Sequence, residues 1–393
     1  MLLHPMGKTK TVFNNVREFR RATATQQDCI NFLVQVRWNG KPICPDCGCD
    51  KTYFIKSRQI FKCADPKCLK PQFSVTSGTF MEHTNLPLPD WFEIMIEQFS
   101  GLNANRIAKK LDINYRTVWS ICHKLRNNMN FLTDMILDGE VEADEFIFNS
   151  KRDQDLIMSY RISGHNRKEK KKEEEIENYV AKPYGNQRIF VNIKQRGGMN
   201  IVKLMGASKK DMTTENFEKI LKANIAPNST LFIDTHPTHK GIDKEYFNDV
   251  KFITHTMKIP VLDENGDQVL TKKGNPKYKY RKNFKDENGV NTNAVENSNS
   301  HFNAFLKRFR KHSYKYAELY VSQYVFEQYV REMQFLDRIR LLLWNSKAAR
   351  ITLKELLAMP NEFPEHKWKE KVMPKRRRHS RKKRHKPVNF QFS

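Results

Sequence analysis

Five cysteines fall between Cys44 and Cys68, and their spacing is that of metal ligands. Cys44-Pro-Asp-Cys47 and Cys63-Ala-Asp-Pro-Lys-Cys68 form two knuckles fifteen residues apart. Each sets two thiolates on one turn, and four thiolates complete a tetrahedral zinc shell with no open position for a reacting water. One structural Zn2+ is therefore expected, holding a fold rather than running a reaction. Residues 51–62, KTYFIKSRQIFK, are rich in aromatic and β-branched types and predict the hairpin of a zinc ribbon. Cys49 leaves the ligand set open at one point, because it can stand in for Cys44 or Cys47.

A second set of residues suits hard cations. Asp144 lies in a strand-like run from Glu142 to Ile147, whose alternation points Glu142 and Asp144 to one face and Glu145 to the other. A carboxylate on a central strand has to be solvated or metal-bound, since burying it unpaired is costly. Asp234 closes an apolar strand ahead of the polar loop Thr235-His236-Pro237, the place where α/β sheets expose their active sites. Glu296 opens a helical segment that also carries Asn297, Asn299 and Asn303. Two strands and a helix thus supply three acids, enough for two Mg2+ or Mn2+ ions, which prefer oxygen ligands. Such a pair of ions activates an attacking water or 3′ hydroxyl and stabilises the leaving oxygen of a phosphodiester. His239 and His255 either add ligands or phosphate contacts to this set or are ordinary surface and core histidines.

The chain that must position these groups has 393 residues, 39% of them apolar, enough for two or three domains with cores of their own. Its net charge of +26 points to a polyanionic partner, nucleic acid ahead of an anionic membrane surface. No stretch approaches the ~20 consecutive apolar residues of a spanning helix, and Met1-Leu-Leu-His lacks the apolar core of a secretory signal. A reducing cytosol suits the odd cysteine count. Residues 26–38 (QQDCINFLVQVRW) predict a helix stopped by Asn39-Gly40. Three more helices follow between Pro89 and Met129. Strands are expected at 140–148, 188–194, 202–206, 230–234 and 251–255, and helices again from 293 to 335. Two turn signals, Asn265-Gly266 and Gly274-Asn275, predict an inserted β-hairpin over 259–282 with a basic tip. Residues 167–177 (RKEKKKEEEIE) read as a solvated helix or disordered insert, and residues 374–387 (PKRRRHSRKKRHKP) as a disordered basic tail.

Within the helical region, residues 105–125 have the logic of a helix-turn-helix: Ala108 packs the first helix, Asp112-Ile113-Asn114 turns, and Val118 and Ile121 bury the second. Tyr115, Arg116, Thr117, Ser120 and Lys124 then project toward base edges and phosphates. Charge agrees, since residues 1–130 carry nineteen Lys or Arg against ten Asp or Glu.

From about Thr23 to Phe335 the sequence resembles the Merlin-like (ISXO-type) insertion-sequence DDE transposases. The likeness is carried by the two cysteine pairs, by Phe73-Ser-Val-Thr-Ser-Gly-Thr79, by the helix from Thr117 to Arg126, and by Val141-Glu-Ala-Asp144-Glu145. Asn293-Ala-Val-Glu296, Leu306-Lys307-Arg308 and the segment from Tyr316 to Tyr324 extend it. The resemblance implies an RNase H-like catalytic core in which Asp144 and Asp234 are the first two catalytic acids. Some members use a glutamate as the third, which favours Glu296, and others an asparagine, which favours Asn299; Glu296 is preferred because its charge binds Mg2+ better. Lys307 and Arg308 either hold the DNA backbone near the scissile phosphate or belong to a solvated helix face.

The expected fold is therefore multidomain: an N-terminal zinc ribbon and helix-turn-helix, then an α/β RNase H-like core with an inserted hairpin and C-terminal helices. The boundaries are 20–83 for the first helix and ribbon, 84–132 for the helix-turn-helix and 138–340 for the core. A helical extension covers 341–373 and the tail 374–393. The expected activity is binding of an element's terminal inverted repeats followed by metal-dependent cleavage and strand transfer. A regulator or a nuclease derived from such an enzyme is the alternative. The expected partners are double-stranded DNA, as transposon ends and as target, and a second copy of the chain to pair two ends, in a bacterial, nucleoid-associated setting without membrane contact.

Overall fold

The computed structural model describes residues 15–148, 188–206, 211–271, 274–283, 285, 289–309, 314–344 and 351–359. The charged insert at 167–177 and the basic tail lie outside the described residues. Helix α1 (Val16–Ala22) leads into α2 (Gln26–Trp38), which begins on a capping box between Thr25 and Asp28. It ends where Asn39 takes a left-handed conformation, φ 50°, before Gly40 at 85°. That is the turn predicted from Asn-Gly. A three-stranded antiparallel sheet follows: β1 (Thr52–Ile55), β2 (Ile60–Cys63) and β3 (Gln72–Phe73). Phe61 stacks on Phe73 and both meet Trp38 edge-on, so the small sheet is seated on the end of α2.

Helices α3 (Leu88–Phe99), α4 (Ala104–Leu111) and α5 (Tyr115–Asn128) come next. Between α4 and α5 the chain turns on Asp112, φ 53°, a conformation that glycine enters most easily and that Asp tolerates better than most residues. The Asn114 side chain then accepts from the Arg116 N–H and caps α5.

The main sheet has five strands: β4 (Glu140–Phe148), β5 (Arg188–Gln195), β6 (Asn200–Gly206), β7 (Thr230–Asp234) and β8 (Asp249–Ile253). They lie in the order β6-β5-β4-β7-β8, the first three antiparallel and β4, β7 and β8 parallel. The expected strands at 202–206 and 251–255 each begin two residues earlier than the apolar runs suggest, because backbone pairing recruits Asn200 and Asp249. Helix α6 (Thr214–Asn224) covers one face, where Phe217 and Leu221 meet Val141, Ala143, Val191 and Ile233. The opposite face carries α7 (Asn293–Lys307) and α8 (Ala317–Tyr329), whose Phe302, Phe305 and Tyr324 pack with Phe190. The inserted hairpin is β9 (Thr256–Pro260) paired with β10 (Tyr278–Lys282), with Gly266 and Gly274 at positive φ in its two turns.

One helix spans the position at which the core was expected to end. Helix α9 (Phe335–Trp344) runs across position 340, with Ile339, Leu341, Leu342 and Leu343 buried on either side of it; α10 (Leu353–Ala358) follows. A single buried cluster also extends from Phe19 through α3 and α5 to α8, α9 and Leu356. The helical region and one face of the main sheet are thus built on a shared core.

Candidate metal centres and nucleic-acid interface

The two cysteine knuckles converge. Cys44 Sγ lies 3.7 Å from Cys68 Sγ, and Cys47 Sγ 3.5 Å from Cys63 Sγ. All four sulfurs fall within 4.8 Å of one another. Cys63 is contributed by the last residue of β2, so the strand fixes one knuckle, while Gly48 at φ 76° lets the other turn tightly. Cys49 lies outside this set of four, its Sγ directed at the Lys51 carbonyl at 3.7 Å. Four thiolates at this separation match the donor set of structural zinc.

Asp144 and Asp234 stand on the neighbouring parallel strands β4 and β7, but together with Glu296 they do not bring their carboxylate oxygens within 4.8 Å of one another, as the four cysteines do with their sulfurs. Glu142 is in register with Phe232, and Asp144 and Asp234 lie two residues further along their strands. The third element, α7, is seated by Glu142: its Oε2 accepts from the Val295 N–H in the helix's first turn, and its Oε1 accepts from Arg196 Nε at 2.8 Å. A buried carboxylate at a helix N-terminus is favoured by the partial positive charge there. Docked this way, α7 brings Asn299 to Asp144, Nδ2 donating to Oδ2 at 2.7 Å, and Asn192 of β5 in turn donates to Asn299 Oδ1 at 2.9 Å. Glu296, three residues earlier on the same helix, instead has Oε1 3.0 Å from His255 Nε2, and Thr292 Oγ1 is also 3.0 Å from that nitrogen. Asn299 is thus the residue of α7 in direct contact with Asp144.

Behind the acids lies a chain of contacts that spacing did not reveal. His239 is buried, stacks on Phe217 of α6 with centroids 4.4 Å apart, and bridges two carboxylates: Nδ1 to Asp234 Oδ1 at 2.6 Å and Nε2 to Glu145 Oε2 at 2.7 Å. Thr238 Oγ1 donates to the other Glu145 oxygen at 3.2 Å. The alternation of β4 foretold that Glu145 faces away from Asp144, and that opposite face is where His239 meets it. Glu145, His236 and His239 also bring ligand atoms within 4.8 Å of one another. Burial opposes a charged His239, yet the hydrogen bonds to Asp234 and Glu145 raise its pKa to about 10. Burial likewise works against ionised Asp234, but His239 and the His236 N–H outweigh it and hold this carboxyl below its ordinary value. Asp144 moves the other way: burial pushes it up to about 7, and the negative charges of Asp234, Glu145 and Glu296 add to the shift.

The residues expected to face DNA divide. Tyr115, Arg116 and Thr117 are exposed on the first turn of α5. Ser120 is not available: it is buried, because α5 is enclosed by α3, α4 and α8 after its first turn. Lys124 is half-buried, with its Nζ over the Trp91 ring at 6.0 Å. Deeper in the helix, Arg126 is buried against the Tyr320 ring and donates to Gln323 Oε1 at 2.7 Å, locking α5 onto α8. At the end of α7, Lys307 is exposed. Arg308 is committed, with Nη2 on Glu327 Oε2 at 3.1 Å and its carbonyl accepting from Asn103 Nδ2.

Comparison with known proteins bears on part of the chain. Residues 24–70 match the family described as "Transposase zinc-ribbon domain". The chain is also 26% identical over 124 residues to the "Uncharacterized protein in transposable element ISH50" of Halobacterium salinarum, an alignment covering 31% of this chain and 42% of that relative. The chain therefore matches less than half of the relative's length. No solved structure matches the chain. Among the described residues, no helix is long and apolar enough to cross a membrane.

Proposed function

We propose that this chain is a DDE-type transposase that binds the terminal inverted repeats of an insertion sequence and cuts and joins DNA in an RNase H-like core. The observation that carries the reading is the presence of Asp144 and Asp234 on neighbouring parallel strands beneath a helix bearing Glu296 and Asn299. The transposase-type ribbon at 24–70 and the relative from a transposable element support the same reading.

In this reading Asp144, Asp234 and Glu296 hold Mg2+ or Mn2+, which supplies activation of the attacking oxygen and charge relief on the leaving one. The protein's own groups prepare that site. Asn299 and Asn192 fix the Asp144 carboxylate, and His239, braced by Glu145, fixes that of Asp234. Tyr115, Arg116 and Thr117 address the DNA from the helix-turn-helix formed by α4 and α5, with the zinc ribbon as its neighbour. Pairing of two element ends calls for at least a dimer on DNA.

The test is cleavage of a supercoiled plasmid carrying the element's ends in Mg2+ or Mn2+, comparing the wild type with Asp144→Ala, Asp234→Ala, Glu296→Ala and Asn299→Ala. The expected result is loss of cutting in the first three with DNA binding retained, and a smaller loss in the fourth. Wild-type protein that binds the ends and never cuts would sink the reading; cutting without joined products would leave a nuclease.

A further inference from the structure

The hairpin of β9 and β10 leaves the edge of the acid site and has an unusual surface. Its base is tied to the site: His255 immediately precedes β9, meets Glu296, and exchanges backbone contact with Asn283 just after β10 through the Asn283 N–H and the His255 carbonyl at 2.8 Å. Along the arm, Tyr280 is 65% exposed and Tyr278 40%. The register pairs Tyr280 with Lys258 and Tyr278 with Pro260, so both rings and a lysine share one face, while Lys279 and Arg281 lie on the other. The ten residues of the two strands contain Lys258, Lys279, Arg281 and Lys282 and no acid.

Exposed aromatic rings among cations have a known physical use. Unpaired bases stack on such rings, and the cations follow the phosphates. The geometry narrows this further. Residues i and i+2 of a strand are about 7 Å apart, which is roughly twice the 3.4 Å rise between stacked bases. Two rings at that separation leave room for one base between them, whereas a continuous duplex keeps its bases stacked on each other. Tyr280 is two residues from the end of β10, so the pair stands within one or two nucleotides' reach of the hairpin base and its link to Glu296.

We propose that Tyr278 and Tyr280 form a clamp for a single unstacked base of the DNA strand beside the acid site, with Lys258 on the same face holding the adjoining phosphate. The clamp's place in the reaction rests on the transposase reading, but its binding does not.

The test uses the full chain in EDTA, so that cleavage plays no part, and ~200 mM salt, where non-specific phosphate binding is weak. The probes are a fluorescein-labelled thymidine 20-mer and a 20-base-pair duplex. Tyr278→Ala/Tyr280→Ala should weaken binding of the single strand by about 30-fold, roughly 2 kcal/mol at ~1.4 kcal/mol per tenfold, and that of the duplex by less than threefold. Tyr278→Phe/Tyr280→Phe should restore wild-type binding, because stacking needs the ring and not the hydroxyl. Failure of wild-type protein to bind the 20-mer, an equal loss on both probes, or a loss in the Phe pair would overturn the clamp. So would a change in sedimentation of the Ala pair without DNA, which would instead assign the face to contact between copies. If Asp144→Ala binds the 20-mer normally and the wild type does not cut, the clamp stands and the transposase reading falls.

Discussion

The two metal-suited centres of this molecule are built on opposite principles. At the ribbon, four sulfurs converge on one point and each is itself a ligand, so nothing is left over. At the edge of β4 and β7, each acid is held by a partner outside the set: Asp144 by Asn299, Asp234 by His239, and Glu296 by His255. A site that only holds structure can close completely, whereas a site that exchanges substrate must keep its ligands positioned while leaving the centre open. The ribbon's energy therefore resides in the metal bonds themselves, and that of the acid site in the surrounding scaffold.

Removing the metal should expose this contrast most strongly. Structural zinc contributes on the order of 10 kcal/mol to small folds, so elemental analysis of the wild type should find one zinc per chain, and Cys63→Ser should abolish it and unfold residues 44–73 by hydrogen exchange. Cys49→Ser should keep the full zinc content, and a loss there would return Cys49 to the ligand set. At the acid site, Asp144→Ala should lower the cleavage rate by roughly 10³-fold with an unchanged melting temperature, if the proposed role of Asp144 as a ligand is right. Glu142→Ala should do the converse: Arg196 keeps Glu140 and the Asn291 carbonyl, but the Val295 N–H at the α7 N-terminus loses its buried acceptor, which costs about 1–3 kcal/mol, read as a lower melting temperature. His239→Gln leaves the acids in place but removes the bridge between Asp234 and Glu145, and Mn2+ titration should show affinity reduced by about 10- to 100-fold. If Mn2+ binds the variant as it binds the wild type, the bridge is only packing. The smallest effect belongs to the surface: Arg116→Ala should reduce the slope of log affinity against log salt by about 1, a change that Lys307→Ala should share if it also meets phosphate.

The ribbon was legible because its chemistry is local. Two Cys-rich turns and the apolar run between them lie within thirty residues, and only the direction of its side chain sets Cys49 apart from the four converging sulfurs. The strand carrying Asp144 was equally readable, since β4 spans the expected residues 140–148 and alternation assigns Glu145 to the other face. What the sequence could not disclose was contact between distant segments. Nothing in the spacing links Glu145 to His239, or Glu142 to the backbone of Val295, because those meetings depend on how β7 and α7 pack on β4. The same limit explains Ser120: its position on α5 reads as outward-facing until α8 closes over that side. Arg308 is similar, a cation claimed by Glu327 from a helix that begins ten residues downstream of α7.

The burial of α5 has one more consequence. Arg126, Gln323 and Tyr320 weld that helix to α8, and α8 lies on the main sheet, so the exposed turn at Tyr115 and the acids at Asp144 and Asp234 belong to one rigid frame. A chain whose recognition turn hung on a tether would cut over a spread of positions. If the proposed function holds, this chain is a ruler, and the interval between what it reads and where it acts is set by the thickness of a hydrophobic core.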